Sequence, residues 1–389
     1  MKILIASHAQ YITAGLPKVI EFAEAMSALG NEVVLCVTSK TRKFGVVEHS
    51  SNGVRIIETP SLLSGRLRHG VDIFDLINRI RVLKDTKFDI IHCMASRPTV
   101  FYPALFLKRK HASTLIYEWE DSFAESGVAL ERSGPKYYKL FGRVEKYFEE
   151  EIVKYADGII VVSDFPNQRA SSLGARGDRI FQQVKGSRLV GETLQERAHA
   201  KREVLPDSLQ GKTILAYVGT IYKNDLAILF EAFSKVSSRC EEARLLLVGY
   251  NTEHPSKIPD KVTIIPRVPI SEYLAYLAAT DLFVLPLACS MANIARYPSK
   301  FSDYLACGRP VVSTPIPVVS RIINEAKCGY LTADDTSDAL GASILAAIDD
   351  RSNWECLGAR SRDYARMHFS WNTIATRTVN FYNHINGLH

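Results

Sequence analysis

The chain has 389 residues, of which 47% are hydrophobic and 23% charged, and its formal net charge is +6. That length suits two domains better than one, and the composition is that of a globular protein. It excludes a membrane-spanning helix of ~20 apolar residues and a disulfide framework, because the seven cysteines show no paired spacing.

MKILIAS at the N-terminus is too short an apolar run for a signal peptide and reads as a first strand. Further strands are predicted at 32–39, 54–59, 89–94, 113–119 and 158–163, with helices at 17–29, 71–84, 97–109 and 136–156 between them. Continuous apolar strands separated by helices imply a parallel sheet covered on both faces. The polar stretch 191–212 then marks the best boundary. Beyond it the scheme repeats, with strands at 213–219, 243–249, 261–268, 281–287, 310–315 and 329–333 and helices at 224–239, 270–279, 300–307, 318–327 and 335–349. An aromatic amphipathic helix at 370–385 either finishes the second domain or crosses back to the first. The expected fold is therefore α/β, two tandem doubly wound Rossmann-like domains facing across a cleft. In such sheets ligands bind at the carboxyl ends of the strands.

The basic residues cluster at 39–43, 66–69 and 107–111. Such patches serve solubility, or they meet anionic lipid or a phosphorylated substrate. No zinc-finger, RNP or helix-turn-helix pattern points to nucleic acid. The cysteines read as reduced core residues of a cytosolic protein.

Three stretches carry candidate chemistry. ARYPSKFSDYLACGRPVV (295–312) sets Ser299 as a cap, Lys300 and Asp303 in a first helical turn, and Arg296 just before it. A helix N-terminus with two cations favours a diphosphate, and a first-turn carboxylate suits the hydroxyls of a ribose. The same residues also make a capped helix with snorkelling basics, and the helix alone leaves both readings open. YVGTIYKNDL (217–226) places Gly219 at a strand end and Lys223 at a helix start, where backbone and ammonium can approach a phosphate. SHAQYITAGLPKV (7–19) puts Gly15 at the turn into the first helix, without the GxGxxG spacing of a dinucleotide site.

Taken in order, LPKVIEFAEAMSALGNEVVLCVT, YADGIIVVSDF, YVGTIYKNDLAILFEAF, LLLVG, PISEYLAYLAATDLFVLP, YPSKFSDYLACGRPVVST and FSWNTIATRTVNFY resemble the glycosyltransferases of GT-B fold in family 4. The resemblance covers nearly the whole chain. It implies an acceptor-binding domain at 1–204, a nucleotide-sugar-binding domain at 205–371, and a last helix, 372–389, that returns to the first domain. It implies a retaining, metal-independent transfer from a UDP- or GDP-linked sugar to a saccharide or lipid-linked acceptor. No cofactor is implied beyond the donor; the cysteines place the chain in the cytoplasm, and the basic patches with the aromatic-basic stretch 99–111 point to peripheral contact at an anionic membrane face.

By position, the resemblance sets Lys223, Lys300 and Gly15 against the diphosphate, Asp303 at the ribose, and Arg267 and Val268 beside the base. The family's paired glutamates, with seven residues between them, become Ala295 and Asp303 here, and its arginine after the VG strand becomes Thr220. Arg296 and Asn293 are the expected compensations, for the lost charge and for the sugar hydroxyls. In IYEWEDSF (116–123) the carboxylates Glu118, Glu120 and Asp121 follow a strand, and Glu120 stands where relatives carry a histidine. A carboxylate there would orient an acceptor hydroxyl or take its proton; otherwise it is a solvated acidic loop. His92, Trp119 and Trp371 read as packing residues. Two other readings stay open on the sequence: a sugar-nucleotide epimerase of the same fold, and a non-catalytic sugar-nucleotide binder.

Overall fold

A computed structural model describes residues 1–11, 16–40, 44–63, 70–122, 127–191, 196–249 and 258–387. The chain divides into two compact units, Met1–Gly186 with Trp371–His389, and Ser187–Ser370.

The first unit runs β1 (Lys2–Gln10), α1 (Leu16–Ala28), β2 (Glu32–Thr38), β3 (Val47–Ser51), β4 (Val54–Thr59), α2 (Ile73–Leu83), β5 (Ile90–Cys93), α3 (Pro98–His111), β6 (Thr114–Trp119), α4 (Val128–Tyr155), β7 (Gly158–Val161), α5 (Asp164–Ser172) and β8 (Ile180–Gln182). The strands form one sheet in the order β3-β4-β2-β1-β5-β6-β7-β8, parallel except for the β3–β4 hairpin. Alternation along β1 explains the two cores. Ile3 and Ile5 join Phe22 and Met26 of α1 on one face, while Leu4 and Ala6 join Phe101 and Leu107 of α3 on the other. Each of these Ile, Leu, Phe and Met side chains, fully buried, contributes about 1.5–3 kcal/mol.

The final helix, Trp371–Ile385, seals the first of these faces with Ile374, Phe381 and Tyr382. Phe381 stacks on Phe181 at 5.3 Å. Gly158 makes that fit possible, since a Cβ there would lie 2.9 Å from the Phe381 ring. Trp119 is buried at 2% exposure, and Trp371 packs over Gly186 and donates to Glu21 at 2.8 Å, so both indoles are packing residues.

Ser187–Ser370 holds α6 (Arg197–Val204), β9 (Thr213–Val218), α7 (Lys223–Arg239), β10 (Ala243–Val248), β11 (Val262–Ile265), α8 (Ile270–Ala279), β12 (Leu282–Leu285), α9 (Met291–Ala295), α10 (Lys300–Ala306), β13 (Val311–Ser313), α11 (Pro317–Ala326), β14 (Gly329–Leu331), α12 (Ser337–Asp349) and α13 (Trp354–His368); the final helix is α14. Its sheet is wholly parallel, in the order β11-β10-β9-β12-β13-β14. The order reverses between β9 and β12, which makes their carboxyl ends the switch point where an open α/β sheet takes its ligand.

The division at 186/187 differs from the expected 204/205. Ser187 N–H bonds to Phe369 O at 2.9 Å, and α6 docks on the second unit through Lys201, whose Nζ reaches Asp281 Oδ2 at 2.5 Å. The polar look of 191–212 thus hides a helix held by an ion pair rather than by an apolar stripe. Four cysteines are buried, as a reduced core requires, but Cys289 and Cys356 are exposed.

Candidate functional site

At the switch point β9 ends in Tyr217, Val218 and Gly219. Gly219 has φ +124°, a conformation that disfavours any side chain, and a Cβ there would lie 3.0 Å from Lys300 Cε. The missing side chain is therefore what lets Lys300 lie across the strand end. Lys300 Nζ donates to Tyr217 Oη and to Thr220 O at 2.8 Å, and it sits 4.3 Å from the Tyr217 ring centroid. Tyr217 Oη itself donates to Thr220 O at 2.7 Å. Burial holds the Tyr217 phenol well above its usual range, so it stays a neutral support for the ammonium. Lys300 is half-buried, and a phenol, a carbonyl and a π face help to fix its ammonium.

A second group lies beside it. Asp225, in the first turn of α7, is 2% exposed and accepts from Ala288 N–H at 2.9 Å and from Asn293 Nδ2 at 3.0 Å, both on Oδ1. Asn293 also donates to Ala288 O at 2.9 Å and accepts from Arg296 on its Oδ1. The Arg296 guanidinium lies 4.6 Å from the Tyr222 ring centroid and 3.9 Å from Asp225 Oδ2. That Oδ2 is buried and has no hydrogen bond among the described residues. Burial pushes the Asp225 carboxyl up, against the pull of Ala288, Arg296 and Asn293. The result is a polar ring that pins the segment 288–296 to the start of α7. Cys289 N–H, bound to Asp335 Oδ2 at 2.7 Å, pins it from the other side.

This geometry changes two expected roles. Asn293 was expected to meet sugar hydroxyls, but it is 1% exposed and its amide is committed to Asp225, Ala288 and Arg296, so it is a strut of the segment. Ser299 was expected to cap α10, but its backbone is already helical (φ −51°, ψ −26°) and its side chain makes no capping bond, whereas a cap residue is extended. Asp303 is 7% exposed and accepts from Tyr273 Oη at 3.0 Å. Lys223 is exposed at the start of α7, where Tyr222 leaves the first-turn amides without a side-chain cap. Arg267 is exposed and Val268 half-buried after β11, two strands from β9. Gly15 lies outside the described residues.

The carboxylates of the first unit separate by environment. Glu118, within β6, is buried between His92 Nε2 at 2.8 Å and Lys185 Nζ at 2.5 Å. Burial alone would raise its carboxyl, but the Lys185 charge and the His92 hydrogen bond prevail and hold it at about 2. Glu120, beyond the strand end, is 38% exposed and meets Lys185 Nζ at 2.7 Å. Its carboxyl is raised, by desolvation and then, against Lys185, by the Glu118 and Asp121 charges. Asp121 is half-buried. His92 is fully buried with both nitrogens bonded, which makes it a packing and pairing residue as expected.

Sequence reasoning overlooked Asp225, Tyr217, Tyr273 and Lys185. A carboxylate at an apolar position of the α7 pattern was the one available signal, for Asp225.

Two doubly wound α/β units in tandem make the fold one of GT-B type, and the second unit carries a cationic switch point. Residues 19–181 match the profile described as Glycosyltransferase Family 4 and residues 212–350 that described as Glycosyl transferases group 1. The chain belongs to this family, the group 1 or family 4 glycosyltransferases. It is 22% identical over 258 residues to TuaH of Bacillus subtilis, a glycosyltransferase provisionally assigned to teichuronic acid biosynthesis; the match spans 60% of this chain and only 60% of that relative's length. Its fold is similar to sucrose-phosphate synthase from Thermosynechococcus elongatus, with TM-score 0.77, 16% identity and 100% of both chains covered. It is also similar to Anabaena HepE in complex with UDP-glucose, with TM-score 0.70, 13% identity and 98% of both chains covered.

Proposed function

We propose that the chain transfers a sugar from a UDP- or GDP-linked donor to a saccharide or lipid-linked acceptor, with retention and without a metal ion or other cofactor. The observation that carries this reading is the cationic switch point of the second unit: Lys300 and Arg296 stand at the ends of β9 and β12, with Lys223 at the uncapped start of α7. Breaking the sugar–phosphate bond leaves a diphosphate of growing negative charge. Fixed cations and helix amides stabilise that charge without reorganising during the reaction. In this reading Asp303, oriented by Tyr273, accepts the ribose hydroxyls, and Arg267 and Val268 frame the base. The acceptor oxygen attacks the anomeric carbon from the face that the nucleotide leaves, and the departing phosphate oxygen takes its proton. Glu120 and Asp121 orient the acceptor hydroxyl. HepE, a relative in fold, has been crystallised with UDP-glucose, which supports a nucleotide-sugar donor.

Peripheral membrane contact belongs to the same proposal. Among the described residues no helix is long and apolar enough to cross a membrane. The surfaces of α3 and α4 nevertheless expose Tyr102, Phe106, Leu140, Val144 and Tyr147 beside Arg109, Lys110, Lys139 and Arg143. Apolar and basic side chains interleaved in this way suit an anionic lipid surface that carries the acceptor.

A melting-temperature screen with UDP, GDP and their sugars, in EDTA, tests the core of this reading. Binding at 100 times Kd stabilises the folded chain by about 2.7 kcal/mol. One nucleotide should raise the melting temperature and the K300A variant should not respond. No response to any nucleotide in the wild-type chain would contradict the proposal.

A further inference from the structure

Behind Glu120 the first unit holds a series of ionisable groups that the donor site does not use. Tyr382 of α14 lies 2.5 Å from His92 Nδ1, His92 Nε2 lies 2.8 Å from Glu118, and Glu118 lies 2.5 Å from Lys185. Lys185 then reaches Glu120 at 2.7 Å. Side-chain exposure grows along the series, from 0% at His92 through 7% and 12% at Glu118 and Lys185 to 38% at Glu120. With Glu118 ionised, His92 Nε2 carries the proton that faces it. In the neutral ring Nδ1 then accepts from the Tyr382 hydroxyl, and each member has a partner of the right kind. The buried end of the series is thus fixed by α14, β5 and β6, and only its last carboxylate reaches solvent.

We propose that Lys185 is a positioning residue for the acceptor side of the reaction: its ammonium clamps the half-exposed Glu120 to the immobile Glu118 and so aims the Glu120 carboxylate from the end of β6. The inference rests on the reading of Glu120 as the group that orients the acceptor hydroxyl. A lysine suits this task because its ammonium offers three donors on a compact charge and can serve two carboxylates at once. Among the described residues the groups that act on Glu120 are Lys185, Glu118 and Asp121, two carboxylates against one ammonium. Lys185 therefore decides how readily Glu120 is ionised. Glu118 competes for the same charge.

The full chain, labelled with carboxyl-13C glutamate, tests the clamp by titration of the Glu120 resonance, assigned by its loss in E120Q. K185M should move the Glu120 titration to higher pH. E118Q, which leaves the ammonium to Glu120 alone, should move it to lower pH. Shifts of opposite sign support the clamp; shifts of one sign, or none, overturn it. Should K185M fail to fold, the double variant E118Q/K185M removes the buried pair together and should still titrate above wild type, because the lysine is the stronger influence on Glu120; titration at or below wild type would overturn the clamp. In turnover, K185M should lower kcat roughly tenfold or more with the donor KM unchanged, and a rise in donor KM alone would place Lys185 elsewhere. The nucleotide melting screen separates this inference from the reading it rests on. Opposite Glu120 shifts in a chain that no nucleotide stabilises would keep the clamp and remove the transferase donor site. Nucleotide stabilisation with an unmoved Glu120 would do the reverse.

Discussion

The two units build charge clusters at the carboxyl ends of their sheets by opposite means. In the first, Glu118 and Glu120 share one ammonium, Lys185, and Asp121 acts on Glu120. In the second, Lys300 is held by a phenol, a carbonyl and a ring, and Arg296 by an amide and a ring, with one raised carboxylate, Asp225, nearby. The phenol and the carbonyl to which Lys300 donates are neutral, and Asp225 carries a raised carboxyl, whereas Lys185 bridges two carboxylates directly. The second cluster therefore suits a diphosphate and the first a hydroxyl.

Substitutions can break this contrast, the largest effect first. K300A removes the cation that the proposed mechanism sets against the leaving group and should lower turnover about 10²–10³-fold, with the far-ultraviolet circular dichroism unchanged; normal transfer rates would return Lys300 to a structural role. E118Q removes a carboxylate whose pKa falls from 4.5 to about 2 on folding, which corresponds to about 3 kcal/mol. A depressed carboxylate stabilises the fold above its unfolded value and loses that contribution as pH falls. Wild-type stability in urea should therefore drop as pH goes from 4.5 towards 2, and E118Q should flatten that segment. An identical acid profile in both proteins would contradict the buried pairing.

D225A leaves the Ala288 and Asn293 donors without their acceptor and the buried Arg296 without its nearby carboxylate. A cost of about 2–3 kcal/mol is expected, read as a lower midpoint in urea. An unchanged midpoint would mean that the ring around segment 288–296 does not hold it. The smallest effect is at the lipid-facing surface. K139E/R143E should weaken binding to anionic vesicles roughly thirtyfold, at roughly 1 kcal/mol per removed cation, in a flotation assay; equal binding would remove α4 from that surface.

How much of this was legible in the sequence depends on whether the signal was local. β1, β2, β9 and β12 announce themselves as continuous apolar runs, because both faces of a parallel sheet are covered. β3 was missed because VEHSS alternates between half-buried and exposed at a sheet edge and has no apolar run. Its turn was nonetheless written in the sequence: Asn52 and Gly53 both take positive φ, at 43° and 82°, as a tight hairpin requires. α6 went unseen because it is short and polar, with Ala200 its one buried residue, and the Asp281 that meets its Lys201 lies 80 residues away.

The sites divide in the same way. Lys300 was readable because a lysine interrupts an apolar helix beside a glycine strand end. Lys185 was not, since its partners, Glu118 and Glu120, lie 67 and 65 positions earlier and nothing around it marks the pairing. Asp225 resembled an ordinary first-turn carboxylate that favours the helix dipole. Only its burial and its bonds to Ala288 and Asn293 show that it organises a loop some 65 residues downstream.

The most direct test of the central claim is a crystal of the full chain soaked with UDP or GDP in EDTA. The account predicts density for the diphosphate against Lys300 and Arg296, at the ends of β9 and β12, with no divalent ion. A nucleotide bound elsewhere, or bound only when a divalent ion is supplied, would contradict it.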